Sequence, residues 1–427
     1  MKPFVVAIDG PAGAGKSTTA RGVAERLGLR HVDSGAMYRA VGVLALREGV
    51  SLGEEESLLR LVAGLGFEPT PEGLRVGGSV MGDAIRTAAA GDAASQVAVH
   101  PRLRDALVRI QRSLARRDGL VMEGRDIGTV VFPGADLKIF IVASPAARAR
   151  RRQEELAARG ERADPAGIEA AIRERDRRDC ERAASPLQPA PDAIPLDTTE
   201  LTPEAQIDLA AHWAELARRA PPMRFLYTLA HESITLFARV ALDFHVAGLS
   251  RVPRKGPLLV AANHISFWDP PLIGATLPRE AHYIAKEALF QNRLFGALIS
   301  RYNAIPIRKG PQARVALRGA EDVLGSGGAI VIFPEGTRNR SGQLLPPRPG
   351  IARLAAHGRA PVLPAYISGS NQIRRSMLRK VPIRISFGSA MMPPVGAASR
   401  EADRAYAQRV MEAIVALRME QEDAAWK

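Results

Sequence analysis

The sequence predicts an α/β protein built from two domains. Its 427 residues exceed what one ordinary hydrophobic core supports, so two domains are expected. Through the first half, short apolar runs alternate with helix-like segments, which is the pattern of a parallel sheet covered by helices. In each half, polar motifs directly follow apolar strand-like runs, where open α/β sheets bind ligands.

The composition limits the classes of function. A hydrophobic share of 46% with 24% charged residues indicates a globular chain, and the net charge of +14 favours anionic partners such as nucleotides or phospholipid head groups. Nucleic acid is not expected, because the sequence has no zinc-ligand spacing, RNP-type aromatic motif or basic zipper. The single cysteine, Cys180, excludes an intramolecular disulfide and fits a reducing compartment.

The sequence also bears on location. It shows no secretory leader, and no uninterrupted apolar run is long enough to span a bilayer. We therefore expect a cytoplasmic protein that can contact the inner face of the cytoplasmic membrane peripherally.

The first half is organised around a phosphate loop, Gly10-Pro11-Ala12-Gly13-Ala14-Gly15-Lys16-Ser17, with Thr18 behind it. A strand-like run, Phe4–Ile8, precedes the loop and a helix-like segment, Thr18–Leu27, follows it, which is the setting that makes this motif credible. The glycines let backbone N–H groups turn inward around a phosphate, and the helix N-terminus adds positive charge. We expect Lys16 to reach the outer phosphates of a bound nucleotide and the Ser17 hydroxyl to hold Mg²⁺.

Periodicity predicts the remaining elements of this half. Strands are expected at Leu120–Met122 and Leu137–Val142, and short strands around turns within an insertion at Phe67–Val80. Helices are expected at Ala36–Glu48, Pro101–Arg116, Pro145–Arg159 and Ile168–Arg182, with Ser34 as the N-cap of the first. Ala220-Pro221-Pro222 disfavours helix, so we place the domains at residues 1–219 and 220–427.

A series of polar motifs between Ala7 and about Glu215 resembles the bacterial cytidylate kinases. The motifs are Asp9–Thr18, Asp33–Arg39, Ile85–Thr87, Ala94–Ala98, Gly124–Pro133, Arg175-Asp176 and Ser185–Leu187. The resemblance implies a P-loop nucleoside monophosphate kinase domain that phosphorylates CMP or dCMP with ATP and Mg²⁺.

The resemblance also implies roles for individual residues. Lys16, Arg125 and Asp126 would be catalytic, and Arg39, Arg104 and Arg125 would bind the acceptor phosphate. A lid through Arg148–Arg159, including Arg152, would neutralise the migrating phosphoryl group. The residues around CMP would be Ser34, Ser95, Arg104, Asp126, Asp179 and Arg182.

The second half carries different chemistry. Phe225–Phe244 has helical periodicity and either lies in a membrane interface or packs on the domain. Two strand-like runs, Leu258–Ala262 and Ala329–Phe333, each end in a polar motif. After the first, His264 and Asp269 are five residues apart, close enough for the carboxylate to fix one imidazole tautomer and leave the other nitrogen to take a proton.

The polar motifs from about Leu249 to Pro393 resemble the glycerolipid acyltransferases, most closely the 1-acylglycerol-3-phosphate acyltransferases. They are Asn263–Asp269 and Phe333–Arg338, with Arg308 after a further strand. The resemblance implies an α/β acyltransferase domain in which His264 is the general base and Asp269 orients it. Its acceptor would be lysophosphatidate and its acyl thioester donor acyl-CoA or acyl carrier protein. The residues holding the acceptor phosphate would be Arg308, Glu335, Gly336, Thr337 and Arg338. Where the family often has Phe-Lys-x-Gly, Arg348 keeps the positive charge.

Two alternatives stay open at this point. A UMP/CMP-type kinase could be joined to an acyltransferase for glycerol 3-phosphate or another lysolipid. One half could instead be a ligand-binding regulator of the other, although Lys16, His264 and Asp269 argue against inactive sites.

Overall fold

The computed structural model describes residues 2–70, 73–115, 118–158, 164–181, 185–307, 313–339, 343–394 and 399–423. The chain divides into two compact units: residues 1–190 with 195–214, and residues 191–194 with 215–427. Both contain a sheet flanked by helices, which confirms the predicted α/β class. No helix in the described ranges combines the length and apolarity needed to cross a bilayer.

The first unit is built on a five-stranded sheet of order β2-β6-β1-β7-β8. Its strands are β1 (Val5–Asp9), β2 (Arg30–Asp33), β6 (Leu120–Gly124), β7 (Leu137–Val142) and β8 (Ile194–Asp197), and an antiparallel sheet contains β3 (Phe67–Thr70), β4 (Gly73–Val76) and β5 (Ser79–Val80). Because β1 and β6 are central and parallel, with Asp9 opposite Gly124, the segments that follow them start side by side.

Helices complete the first half of the chain. They are α1 (Lys16–Leu27), α2 (Ser34–Arg47), α3 (Glu55–Ala63), α4 (Ala88–Val97), α5 (Pro101–Ser113), α6 (Pro145–Ala157), α7 (Pro165–Glu181) and α8 (Pro203–Arg219). The predicted helices are present with shifted ends. The sequence did not predict β2, because only Val32 of its four residues is fully buried and the others are polar.

The second unit is built on a seven-stranded sheet of order β12-β11-β13-β10-β14-β15-β9. The strands are β9 (Phe244–Ala247), β10 (Leu258–Ala262), β11 (Ala281–Lys286), β12 (Ala304–Ile307), β13 (Ala329–Ile332), β14 (Val362–Ser368) and β15 (Ile383–Phe387). Among the pairs of named strands of this sheet in the described residues, β14–β15 is antiparallel and the others are parallel. The helices are α9 (Phe225–Ala241), α10 (Asp269–Thr276), α11 (Arg293–Arg301), α12 (Ala313–Gly325), α13 (Gly350–His357), α14 (Ile373–Met377) and α15 (Arg400–Asp423).

Strand β10 lies at the centre of this sheet and is buried on both faces. Leu258, Val260 and Ala262 join one hydrophobic cluster, while Leu259 and Ala261 join the cluster on the opposite face. Alternation of side chains along a strand produces this division. The apolar run therefore anchors β10 from both sides and fixes where the polar segment after Ala262 begins.

Candidate active sites

The glycine-rich loop connects β1 to α1 in a conformation that requires glycine. Gly10, Gly13 and Gly15 have φ values of 149°, 73° and 95°, which side chains rarely allow. A Cβ on Gly10 would lie 2.2 Å from the carbonyl oxygen of Ile141 on the neighbouring strand. The loop can therefore approach β7 closely and turn toward the N-terminus of α1.

Lys16 and Ser17 begin α1 at the end of this loop. The Lys16 ammonium donates to the carbonyl of Pro11 at 2.7 Å. Burial, followed by the charge of Arg125, lowers the pKa of Lys16 to about 7. The Ser17 hydroxyl donates to the carboxylate of Glu123 at 2.7 Å.

Glu123 is a candidate site residue that the sequence analysis missed. It is buried at the carboxyl end of β6, where it accepts from Ser17 and contacts the His31 ring nitrogen at 2.9 Å. The available signal was a carboxylate at the end of a strand, one residue before the Gly124-Arg125-Asp126 motif. Only the pairing of β1 with β6 brings this carboxylate to Ser17.

The donor atoms of Ser17 and Glu123 fit Mg²⁺. A hydroxyl and a carboxylate are hard oxygen ligands, and Mg²⁺ in nucleotide sites takes one or two such groups together with phosphate oxygens and water. Among the residues the structure describes, no cluster of three or more His, Cys, Asp or Glu is arranged to hold a metal. The nucleotide phosphates would therefore have to supply further ligands.

Asp9 connects the phosphate loop to the segment after β6. Its buried carboxylate accepts from the backbone N–H groups of Ile127 at 2.8 Å and Gly128 at 2.7 Å. Burial raises the pKa of Asp9 to about 6, against the lowering effect of these two hydrogen bonds. These contacts hold the loop that carries Arg125 and Asp126 beside the start of the phosphate loop.

A cleft of about 300 Å³ opens above these carboxyl ends. It brings together many of the predicted residues: Ala12, Gly13, Lys16, Ser17, Ser34, Arg39, Ser95, Arg104, Arg125, Asp126 and Asp179. It also contains residues absent from the predicted site: Asp33, Tyr38, Glu123 and Arg175. The structure thus joins segments spread over more than 160 residues of sequence.

Arginine–carboxylate pairs line this cleft. Arg104 pairs with Asp126, and both side chains are buried. Arg125 contacts Asp179 at 3.0 Å.

Two further arginines approach the same cleft. Arg39 contacts Asp33 at 2.6 Å. Burial opposes the charged carboxylate of Asp33, but Arg39 and the backbone N–H of Ala36 outweigh it and lower its pKa. Burial and the charge of Arg125 lower the pKa of Arg175. The cleft therefore brings several guanidinium groups together where they can bind a phosphate in place of carboxylates.

Some predicted residues lie elsewhere. Gly10, Pro11, Ala14, Gly15 and Thr18 belong to the loop and helix start but do not line the cleft. Thr18 is the third residue of α1.

The arginines of the predicted lid lie on α6 in different surroundings, and the predicted cap of α2 differs from the observed one. Arg152 is exposed and pairs with Glu155 at 2.9 Å. Arg148, the first residue of the predicted lid, is buried and reaches the phosphate loop, donating to the carbonyl of Ala12 at 3.2 Å. The predicted Ser34 cap was wrong: Asp33 is the N-cap and accepts from the N–H of Ala36, because Ser34 is already helical and turns its hydroxyl to Glu123. Arg182 lies outside the described residues.

The second site begins where β10 ends. The Nδ1 atom of His264 lies 2.8 Å from Oδ2 of Asp269, the first residue of α10. Asp269 is fully buried, whereas 16% of the His264 side chain is exposed. A carboxylate at Nδ1 favours the tautomer with a proton on that nitrogen, which leaves Nε2 as the acceptor.

Packing also fixes the imidazole plane. The ring of Phe333 stacks on His264 with centroids 4.0 Å apart. Strand β13 carries Phe333 to this position because it pairs directly with β10. Within the described part of the chain, no hydrogen bond to the Nε2 atom of His264 is present. The site therefore holds an oriented, partly accessible base.

Glu335 braces this site from the second motif. It is buried, and its Oε1 accepts from the backbone N–H of His264 at 3.2 Å. Its Oε2 accepts from the N–H of Leu345 at 3.0 Å and from the Asn339 side chain at 3.2 Å. The sequence placed Glu335 at the acceptor phosphate, but its carboxylate instead joins the two motif loops.

Basic side chains lie beside this brace. The Arg338 guanidinium stacks over Phe267, 3.4 Å from the ring centroid. Gly336 has a φ of 68°, and a Cβ there would lie 2.3 Å from Nε of Arg348. Thr337 is exposed beside them. The loop geometry thus places two arginines near the motif, while Arg308 lies outside the described residues.

Comparisons with known proteins assign families to both regions. The cytidylate kinase family model matches residues 6–215, and the acyltransferase family model matches residues 243–368. The cytidylate kinase of Pseudomonas paraeruginosa is 48% identical over 217 residues, which cover 49% of this chain and 95% of that protein.

Two further proteins are similar to parts of the chain. A bifunctional pantoate ligase/cytidylate kinase from a Synechococcus species is 46% identical over 52% of this chain and 42% of its own length. The crystal structure of the 1-acyl-sn-glycerophosphate acyltransferase from Thermotoga maritima matches at 26% identity and a TM-score of 0.38, covering 50% of this chain and 89% of that one. The chain belongs to the cytidylate kinase family through its first half and carries an acyltransferase domain in its second.

Proposed function

We propose that this chain is a bifunctional enzyme with domains at residues 1–219 and 220–427. The first transfers the γ-phosphoryl group of ATP to CMP or dCMP. The second transfers an acyl group from acyl-CoA or acyl carrier protein to 1-acylglycerol 3-phosphate, giving phosphatidate. The observation that carries the proposal is the coexistence of a phosphate-loop cleft rich in arginine with a separate, oriented His264–Asp269 pair.

Donor binding follows from the phosphate loop. Backbone N–H groups and the N-terminus of α1 would bind the polyphosphate, and Lys16 would move from Pro11 to the outer phosphates. Ser17 and Glu123 would hold Mg²⁺, which would neutralise part of the negative charge of the nucleotide phosphates. Arg148, already at the loop, adds positive charge from α6.

Acceptor binding follows from the arginines opposite this loop. Arg39, Arg104, Arg125 and Arg175 line one cleft. An acceptor phosphate can replace the carboxylates that now pair with the first three. Ser34, Ser95, Asp126 and Asp179 supply polar groups for the ribose and cytosine. Phosphoryl transfer requires alignment and charge stabilisation more than a covalent catalyst, and this cleft offers both.

The kinase proposal is tested by ADP formation from ATP and Mg²⁺ with CMP, dCMP, UMP and AMP in parallel. We expect CMP and dCMP to be strongly preferred. Equal turnover of UMP would support the UMP/CMP-type alternative, and no turnover with any monophosphate would refute a kinase role for this cleft.

In the acyl transfer reaction, His264 would act as the general base. Its Nε2 takes the proton of the acceptor hydroxyl while that oxygen attacks the thioester carbonyl. Asp269 stabilises the resulting imidazolium through Nδ1. The C–S bond then breaks, and the imidazolium returns the proton to the departing thiolate. No acyl-enzyme intermediate is required.

The acceptor phosphate would bind the basic side of this site. Arg338 and Arg348 stand beside the loop of Gly336 and Thr337, where they can pair with a phosphate. The experiment compares 1-acylglycerol 3-phosphate, glycerol 3-phosphate and 1-acylglycerophosphocholine at matched concentrations. We expect the first to be preferred and Arg338→Ala to raise its KM. Preference for either other acceptor would refute the assigned substrate.

We also propose that a membrane surface presents this acceptor. Helix α9 exposes large apolar residues along one face, including Phe225 at 80%, Leu236 at 64% and Val240 at 67%. Trp268, within the Asn263–Asp269 motif, stacks on Phe237 of α9 with ring centroids 6.0 Å apart. Helix α9 therefore contacts the active-site loop through Phe237, which is partly buried, while its exposed apolar residues remain open to a partner.

Charge favours an anionic bilayer as the partner of this face. Arg379 donates to the carbonyl of Val240 at 3.3 Å, so the segment made of α14 and the residues up to Lys380 adjoins α9. That segment combines the apolar residues Met377 and Leu378 with the cations Arg374, Arg375, Arg379 and Lys380. Apolar insertion beside clustered cations suits anionic phospholipid.

Vesicle sedimentation tests this surface. We expect binding to vesicles containing phosphatidylglycerol, weaker binding to phosphatidylcholine alone, and loss of binding in Leu236→Asp. Met419→Asp, an exposed apolar position on α15, is the matched control. Unchanged vesicle binding by Leu236→Asp would refute the membrane assignment.

A further inference from the structure

The buried carboxylate of Asp269 has an uneven set of hydrogen bonds. Its Oδ2 atom accepts from the backbone N–H groups of Ile265 and Ser266, both at 2.7 Å, and faces His264. Its Oδ1 atom accepts from the hydroxyl of Ser370. Among the described residues, Ser370 is the one recorded donor to Oδ1, and it lies 101 positions away in sequence.

The fold delivers Ser370 to this point through β14. Asn263 donates to the carbonyl of Ile367 at 2.9 Å and accepts from its N–H at 2.8 Å, so the ends of β10 and β14 are clamped together. Gly369 follows with a φ of 75°, and a Cβ there would lie 2.1 Å from the carbonyl oxygen of Pro382. This turn places the hydroxyl of Ser370, a buried residue, against Asp269.

We propose that Ser370 is a positioning residue for acyl transfer, acting through Asp269. The inference rests on the proposed role of His264 as the base. The Asp269 carboxylate can rotate about its Cβ–Cγ bond. A hydrogen-bond donor on Oδ1 restricts this rotation and so keeps Oδ2 in line with Nδ1 of His264. The same hydrogen bond satisfies a negative charge that is fully removed from water.

The proposal also explains the first residue of the Asn263–Asp269 motif. Asn263 is buried and touches neither His264 nor the acceptor side of the site in any recorded hydrogen bond. Its amide instead fixes the strand that delivers Ser370. The motif and a serine more than 100 residues later therefore form one hydrogen-bonded unit around the carboxylate.

The first experiment replaces Ser370 with alanine in the full chain. We expect kcat for acyl transfer to fall about 10- to 100-fold, the equivalent of one charge-assisted hydrogen bond, with KM for both substrates unchanged. Ser370→Thr, which keeps the hydroxyl, should recover most of kcat. Ser386→Ala is the control. Ser386 is also buried, on β15, and its hydroxyl accepts a hydrogen bond from the Gln421 side chain at 2.9 Å.

A double-mutant cycle separates positioning from simple packing. In an Asp269→Ala background no acceptor remains for the Ser370 hydroxyl, so Ser370→Ala should change kcat by less than about twofold. A packing role would instead cause the same fold loss in both backgrounds, and that result would overturn the proposal. If the alanine variant does not fold, Ser370→Cys keeps the volume with a weaker donor and should show the same loss of kcat.

The wild-type assay distinguishes the two levels of inference. If the wild-type protein transfers no acyl group to any acceptor, the proposed acyl transfer itself is refuted. An active wild type with a fully active Ser370→Ala variant would refute only the role of Ser370.

Discussion

Binding of a nucleotide should drive a proton onto Lys16. In the free protein, burial and the charge of Arg125 lower the pKa of this ammonium from 10.5 to about 7. Polyphosphate oxygens beside it would favour the charged form and return the pKa toward its ordinary value. Nucleotide binding above pH 7 must therefore be accompanied by proton uptake.

The size of this uptake follows from the shifted pKa. At pH 8 the free side chain is only about 10% protonated, so full protonation in the complex takes up about 0.9 proton. At pH 6 it is already about 90% protonated, so uptake from Lys16 falls to about 0.1 proton. The sign is fixed: uptake increases as pH rises from 6 to 8.

Calorimetric titration with MgADP in two buffers of different ionisation enthalpy measures this quantity. The heat difference between the buffers gives the number of protons exchanged at each pH. Lys16→Met keeps an apolar stem without the amine, and subtracting its signal removes protons that belong to the nucleotide. Equal uptake at pH 6 and pH 8, or identical uptake by Lys16→Met, would refute a lowered pKa for Lys16.

Further predictions concern the metal site and the loop. Glu123→Gln removes the charge beside Ser17 and should raise the half-saturating Mg²⁺ concentration for kinase turnover about tenfold. The control Glu155→Gln, at an exposed position, should leave this concentration unchanged. An unchanged Mg²⁺ dependence in Glu123→Gln would contradict the proposed role of Glu123. Gly10→Ala places a methyl group against the carbonyl of Ile141 and should lower the unfolding temperature of the first unit by about 5 °C, measured by calorimetry. An unchanged unfolding temperature would show that the loop accommodates the methyl group without strain.

Much of the fold could be predicted from local pattern. The strands with continuous apolar runs, such as β1, β10 and β13, are buried and present, because the hydrophobic signal directly reports burial on both faces. Strand β2 was missed because it owes its position to pairing with β6 rather than to its own polar residues.

The candidate sites show the same division. The phosphate loop and the His264–Asp269 pair could be predicted from local motifs, because each lies within a few residues of sequence. Glu123 and Ser370 could not be assigned in this way. Each reaches its partner only through strand pairing, over 106 residues for Glu123 and 101 for Ser370.

Glu335 shows a different limit of sequence reasoning. Its place in Phe-Pro-Glu-Gly-Thr-Arg indicates importance but not which way the carboxylate faces. In the structure the carboxylate accepts hydrogen bonds from His264 and Leu345 and so joins two loops. Residue type suggested a ligand, whereas burial and partners indicate a brace.

The central claim is that one chain carries two chemistries with separate catalytic groups. The most direct measurement assays both activities on full-length Lys16→Ala and His264→Ala. The account predicts that Lys16→Ala loses CMP phosphorylation and keeps acyl transfer, and that His264→Ala does the reverse. Loss of both activities in either variant, with the fold intact, would contradict it and indicate that one half regulates the other.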